Sequence, residues 1–166
     1  MRRALALLAA LALSACGLQP LYGGGSASPV ATILRTVEVA PIAGQVGWLV
    51  HNNLTERLGA GDGGEPPLYR LEVELDDNIT GFGIRGDRAV TRERRMLRAR
   101  YRLVNLDTGG VVLDATAGSD AGIDVVSSEY ATVAAEQTAA ERLSEVLADQ
   151  IVARLGLFAA RTAPDR

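Results

Sequence analysis

Leu97, Ala99, Tyr101 and Leu103 alternate one for one with Arg98, Arg100 and Arg102. A period of two sends successive side chains to opposite faces of a strand, so this segment belongs where one face is packed and the other is wet. The same alternation stands upstream, where Leu71, Val73 and Leu75 are interleaved with Arg70, Glu72, Glu74 and Asp76. It returns more weakly at Val111, Leu113, Ala115 and Ala117, after a hairpin turn read from Asp107-Thr108-Gly109-Gly110. Three such strands form a meander with one apolar face, and something apolar must cover it.

Two segments have the helical period that such a cover needs. Val50, Leu54 and Leu58 are spaced by four with Trp48 and Leu49 flanking, which predicts a helix over residues 46–58 closed by Gly59, Gly61, Gly63, Gly64, Pro66 and Pro67. Tyr130, Val133, Ala134, Ala140, Leu143, Val146, Leu147, Ile151 and Leu155 predict a longer one over 129–155. Ser127 or Ser128 is its N-cap, Glu129 suits its positive end, and Gly156 is placed to stop it. The β-branched run at residues 33–40, ended by Pro41, reads as a first strand. The order β-α-β-β-β-α predicts the α+β class: a two-layer sandwich, a single β-sheet with two helices on one face. No internal repeat or second domain is visible.

Ahead of this domain, Arg2 and Arg3 precede a ten-residue apolar run, residues 4–13. A helix crossing a ~30 Å bilayer core needs ~20 residues, so the run predicts a cleavable export signal. Leu13-Ser14-Ala15-Cys16 has the form of a bacterial lipobox, which makes Cys16 the lipidation site and first mature residue; the bland reading is an ordinary signal with a cysteine nearby. Gly17 rather than Asp after it favours the outer membrane. The expected divisions are a signal peptide (1–15), a lipid-anchored Gly/Ser/Pro linker (16–31), the folded domain (32–158) and a disordered tail (159–166). Cys16 is the only cysteine, which excludes an internal disulfide and cysteine-based catalysis in the mature domain.

Few residues invite chemistry. Gly81-Phe82-Gly83-Ile84-Arg85-Gly86 spells G-x-G-x-x-G, but Asp87, Arg88 and a β-like stretch follow where a nucleotide site needs a helix, so a hairpin tip or bulge is the better reading. His51 is the only histidine and has no partner for a triad or metal site. Asp76, Asp77 and the acids of the last helix recur at no ligand spacing. No cofactor, metal or catalytic residue is predicted, and the chain reads as a non-enzyme.

The uneven feature is basic. Of the 15 arginines left after Arg2 and Arg3 are removed, against 20 acids, eight lie between residues 85 and 102, and no lysine occurs anywhere. Outward Arg98, Arg100 and Arg102 can pair across strands with Glu72, Glu74 and Asp76. Arg85, Arg88, Arg92, Arg94 and Arg95 lie toward a hairpin tip with fewer acids. Two readings stand side by side: a guanidinium cluster for an anionic glycolipid or acidic protein surface, or a solvated edge. Nucleic acid is discounted, because the domain is acidic overall and holds only four Tyr, two Phe and one Trp.

Cys16-Gly17-Leu18-Gln19-Pro20-Leu21-Tyr22-Gly23 resembles the mature start of the lipopolysaccharide-assembly lipoprotein LptE family, in particular its alphaproteobacterial branch. Tyr69-Arg70-Leu71, Tyr101-Arg102-Leu103, Thr108-Gly109 and Ser128-Glu129-Tyr130-Ala131 fit the same family. The resemblance implies a plug in the lumen of the LptD outer-membrane β-barrel that assists barrel assembly, binds lipopolysaccharide and is held to the membrane through acylated Cys16. It places the lipopolysaccharide contact on the hairpin between the second and third strands, with Arg85 and Arg88 first, then Arg92, Arg94 and Arg95. Alternatives are a ligand-free structural plug or chaperone, and an auxiliary lipoprotein of another envelope lipid transporter.

Overall fold

The alternation at 97–103 is realised as expected: Leu97, Ala99, Tyr101 and Leu103 are buried and the intervening arginines are not. A computed structural model describes residues 28–60, 66–84 and 90–163. Along them run α1 (Pro29–Arg35), β1 (Val37–Val39), α2 (Gly44–Leu58), β2 (Tyr69–Ile84), β3 (Val90–Asn105), β4 (Val111–Asp124) and α3 (Glu129–Thr162). One sheet has the order β1-β2-β3-β4, with β1 parallel to β2 and the other pairs antiparallel. The class is α+β as expected, with a third helix added. None of the described helices is long and apolar enough to cross a membrane.

That added helix corrects the expected first strand at 33–40 and the linker boundary at 31. Ser28 Oγ accepts from the Ala31 N–H at 3.1 Å and Pro29 takes the first turn, a start signal strong enough to draw β-branched Ile33 into α1. The strand begins only at Val37. Thr36, between them, is buried; its carbonyl accepts from the N–H groups of Leu68 and Tyr69, tying the end of α1 to the root of β2.

α2 buries Gly47, Val50, Leu54 and Leu58 and ends on Gly59 in the left-handed region, where the Gly59 and Ala60 N–H groups bond the Glu56 and Thr55 carbonyls. Trp48 is exposed. α3 carries two buried columns: Leu143, Leu147, Ile151 and Leu155 supply bulk, while Ala140, Ser144, Ala148 and Gly156 allow close approach. Ser144 donates to the Ala140 carbonyl at 2.7 Å, which satisfies its hydroxyl inside the core. Near its C-terminal end, Phe158 meets Tyr69 edge to face at 5.7 Å.

Two expectations about α3 need correction. Gly156 does not stop the helix: a buried glycine is a packing position here, and α3 continues to Thr162, so residues 159–162 are helix rather than tail. Tyr130 and Val133, expected on the apolar face, are exposed because burial begins only at Ala139, and Val146 is exposed because the buried face there runs through Leu143, Ser144, Leu147 and Ala148.

β2 and β3 are each 16 residues long and stay paired from Tyr69↔Asn105 to Ile84↔Val90. Residues 76–83 of β2 are exposed on both faces, so this part of β2 lies clear of the helical layer. β4 likewise runs past the expected end at Ala117, to Asp124.

Candidate functional site

Period two decides where each arginine of the cluster goes. On β3, Arg92, Arg94, Arg98, Arg100 and Arg102 share the face opposite to Leu97, Ala99 and Tyr101, and form one column on the open side of the sheet. Arg95 has the other parity and faces the helical layer. Arg85 and Arg88, the first candidates from sequence, lie outside the described residues.

The arginine column stands between two columns of acids. Register places Glu72, Glu74 and Asp76 opposite Arg102, Arg100 and Arg98 on one side. On the other, Asp114, Asp120 and Asp124 of β4 stand opposite Arg102, Met96 and Arg92. The side chains choose between these neighbours. Arg102 pairs with Glu72 at 3.2 Å and Glu74 at 3.6 Å. Arg100 turns the other way and pairs with Asp114 at 2.9 Å. This hydrogen bond, with the attraction of opposite charges, raises the Arg100 pKa and holds the Asp114 carboxyl below the usual carboxylate range. Arg98 lies over Gly118, which leaves room for it, and donates to the Ser119 carbonyl at 3.0 Å. Of the expected Arg98, Arg100 and Arg102 pairings, the observed bridges to β2 are those of Arg102, because β4 offers the other two closer acceptors.

At the distal end Arg92 pairs with Asp124 at 2.9 Å and Arg94 with Asp120 at 3.8 Å, and all four side chains are more than half exposed. The expectation that this end has few acids is therefore corrected. Asp120 and Asp124 were hidden by ending β4 at Ala117; carrying a period of two forward from Asp114 finds them. Such exposed pairs contribute only ~0–1 kcal/mol each and exchange readily for another anion. Phe82 stands directly opposite Arg92 in register, is exposed, and has the Arg94 guanidinium 5.6 Å from its ring centre. The distal open face thus offers two solvent-reaching guanidinium groups around an aromatic ring.

Arg95 does different work. Its Nε and Nη2 donate to Asp77 at 2.8 and 2.6 Å, and its Nη1 donates to the Glu136 carbonyl of α3 at 2.8 Å. The side chain is only 12% exposed, and the Asp77 hydrogen bonds raise its pKa. It clamps α3 to the sheet, so its guanidinium is committed on the helical side and stands apart from the open-face arginines. The signal was present in the sequence: adjacent Arg94 and Arg95 cannot share one face of a strand.

The remaining sequence candidates fall elsewhere. Gly81 and Gly83 are strand residues of β2, with Gly83 at φ +80°, and among the described residues the next element is strand β3 rather than a helix that could hold a nucleotide phosphate. His51 on α2 lines a cleft of about 280 Å³ with Thr55, Val37 and Val39. Among the described residues no three His, Cys, Asp or Glu side chains gather as a metal site. Cys16 lies outside the described residues.

Comparison with known proteins gives this geometry a relationship. No curated protein matches the chain. Among solved structures, a lipoprotein candidate from Caulobacter crescentus CB15 superposes with a TM-score of 0.69 at 24% identity, covering 83% of this chain and 100% of that one. The rare lipoprotein B of Shewanella oneidensis gives 0.57 at 9% identity, covering 76% and 96%. Lipoprotein B of Nitrosomonas europaea gives 0.57 at 11%, covering 75% and 82%. These likenesses establish the fold. A family model described as LptE, lipopolysaccharide-assembly, matches residues 34–155, from the last turns of α1 to the C-terminal part of α3. The chain belongs to the LptE lipopolysaccharide-assembly family.

Proposed function

We propose that this chain is a non-enzymatic outer-membrane lipoprotein, acylated at Cys16, that plugs an LptD-type β-barrel, assists its assembly and binds lipopolysaccharide on its way to the outer leaflet. Family membership and the lipobox support the location and the pathway. The observation that carries the binding role is the distal open face, where Arg92 and Arg94 surround exposed Phe82. A phosphorylated amphiphile matches that combination: guanidinium forks take phosphate oxygens and the ring takes the first apolar atoms. Arg85 and Arg88, nearer the tip in sequence, add two more cationic side chains to the segment between β2 and β3.

The test is titration of the soluble domain, residues 17–166, with lipid A and with its dephosphorylated form. Tighter binding of lipid A, lost when Arg85, Arg88, Arg92 and Arg94 become Ala, is expected. Equal binding of the two lipids sinks the phosphate contact.

One observation favours a second reading, a plug without a ligand. Asp120 and Asp124 already balance Arg94 and Arg92, so the described face is not a bare cation patch. Photo-crosslinking from position 92 in cells discriminates: lipopolysaccharide adducts support the first reading, and adducts with barrel protein alone support the second.

A further inference from the structure

The end of the sheet where β2 begins carries a second cationic surface, apart from the β3 column. From Gln150 to its last residue, Thr162, α3 has no acid, and its charges there are Arg154 and Arg161. Both are exposed, and neither meets a carboxylate among the described residues, whereas Arg92, Arg94, Arg95, Arg100 and Arg102 each do. Attraction to the helix C-terminus accounts for Arg161 alone, since Arg154 stands two turns earlier. Exposed Leu157 lies three residues after Arg154 and four before Arg161, hence on the same helix face. The two arginines and Phe158 line a cleft of about 80 Å³ with Val112. Leu103 pairs with Leu113 and Val104 with Val111, which leaves Val112 bulged from the ladder and exposed. Val111 and Leu68, also exposed, lie at the same end of the sheet.

Where the chain enters the domain says what this surface meets. The Thr36 carbonyl accepts from the Tyr69 N–H, and the Tyr69 ring meets Phe158 at 5.7 Å, so the end of α1 and the arginine patch share one end of the fold. Ser28 precedes Thr36 by one short helix, about 12 Å at most. Residues 17–27, between Cys16 and Ser28, reach no more than about 40 Å even fully extended. An acylated Cys16 therefore holds this end of the domain nearest the bilayer. Of the acids here, Asp114 and Glu38 are already paired with Arg100 and Arg70, which leaves Asp107 in the turn before β4. Guanidinium groups flanking aliphatic side chains match the phosphates and first methylenes of a lipid surface. An acidic protein groove would match the charges as well, but the tether already brings the bilayer within reach.

We infer that Arg154, Leu157, Arg161 and Val112 form a bilayer-docking surface, which rests on the phosphate-bearing face of the membrane that holds Cys16 and so sets the orientation of the domain. The inference rests on the acyl-anchor part of the reading above and is independent of the barrel and of lipopolysaccharide. The two arginines supply attraction to the headgroups. Leu157 and Val112 supply the apolar contact that keeps the surface seated when salt screens the charges.

The experiment uses the full-length, lipidated chain reconstituted into vesicles of phosphatidylcholine and phosphatidylglycerol that carry nitroxide-labelled headgroups. A fluorophore is attached through Ala160→Cys, beside the patch, or through Thr80→Cys, far along β2; both positions are exposed. Strong quenching is expected at position 160 and none above background at position 80. Arg154→Gln with Arg161→Gln is expected to lower the ratio of docked to undocked protein roughly tenfold or more, and Leu157→Asp several-fold. Arg142→Gln, at another exposed arginine of α3, is expected to leave it unchanged. Because the substituted side chains are exposed, far-UV circular dichroism and melting are expected to stay as in the parent. Equal quenching at the two positions, or unchanged quenching in the double-Gln variant, overturns the docking surface and leaves the anchor reading standing. Mass spectrometry that finds Cys16 without acyl chains overturns both. If position 160 is unquenched in vesicles yet crosslinks to a protein in cells, the patch is a protein contact and the inference is wrong.

Discussion

Arg95→Ala and Arg92→Ala remove the same side chain from neighbouring positions of one strand, and the structure predicts opposite consequences. Arg95 makes three short hydrogen bonds, two to the Asp77 carboxylate and one to the Glu136 carbonyl, with side-chain exposures of 12% for Arg95 and 26% for Asp77. Breaking a fully buried pair costs ~3–5 kcal/mol, because the remaining charge is stranded. Asp77 is partly reached by water, so the cost here is about 2–3 kcal/mol. For a domain of this size that lowers Tm by about 7–10 °C. Arg92 and Asp124 are 61% and 77% exposed, so losing their pair costs ~0–1 kcal/mol and moves Tm by no more than ~3 °C. Thermal and urea melts of residues 17–166, run at low salt and in 1 M NaCl, measure both. With a Debye length of ~3 Å at 1 M, salt abolishes the Arg92 effect and leaves most of the Arg95 effect. A double-mutant cycle with Asp77→Ala should return coupling of about 1–2 kcal/mol. Equal destabilisation by the two single variants, or an Arg95→Ala cost below about 0.5 kcal/mol, refutes the division of the cluster into a clamp and a free surface.

Three further outcomes follow from the same coordinates. Gly47→Ala should destabilise by about 1–3 kcal/mol in urea melts despite alanine's better helix propensity, since the added Cβ would stand 2.7 Å from the Ile42 carbonyl oxygen. The Asp114 carboxyl, held low mainly by its Arg100 hydrogen bond, contributes stability that is present above its unfolded pKa and lost as pH falls through its lower folded value. NMR titration below about pH 4 should show Asp114 protonating last among ordinary aspartates, and Arg100→Gln should return it to the usual range. Gln150 covers the outer edge of β4, accepting from the Gly118 N–H at 3.1 Å and donating to its carbonyl at 3.4 Å. Gln150→Ala should speed hydrogen exchange at Gly118 by roughly tenfold and promote edge-to-edge self-association on sizing columns; unchanged exchange would show that the amide shields nothing.

Strand parity is legible in Leu97, Ala99, Tyr101 and Leu103 because a helical layer covers one face and selects for alternation. Where that cover ends, the pattern ends too. Residues 76–83 of β2 are exposed on both sides and carry no period, so the full length of the hairpin shows only in the structure. The far end of β4 is hidden differently: its burial still alternates as far as Ile123, but the small residues Ala117, Gly118, Ala121 and Gly122 mute the hydrophobic period, and Asp120 and Asp124 with it. α1 escapes for another reason: Val30, Thr32 and Ile33 have strand-like branching, and the cap at Ser28 with Pro29 outweighs it. At the site, the arginine cluster is plain in composition, and its division is plain in parity. What composition cannot give is the choice each guanidinium makes between acids on two flanking strands: Arg100 leaves Glu74, directly opposite it, for Asp114, which stands diagonally across on β4.

The Thr36 carbonyl that accepts from Leu68 and Tyr69 fixes a distance as well as a junction. Ser28 is eight residues before it, at most about 12 Å away along a helix, so whatever precedes Ser28 joins the domain near the root of β2. From that root to Ile84 the strand covers sixteen residues, about 50 Å at ~3.3 Å each. A bilayer's hydrocarbon core is ~30 Å thick. The strand is in effect a ruler longer than that core, with Ser28 near one end and exposed Arg92 and Arg94 near the other. A domain held by its Ser28 end at one membrane surface can present Arg92 and Arg94 at the opposite one without unfolding or letting go.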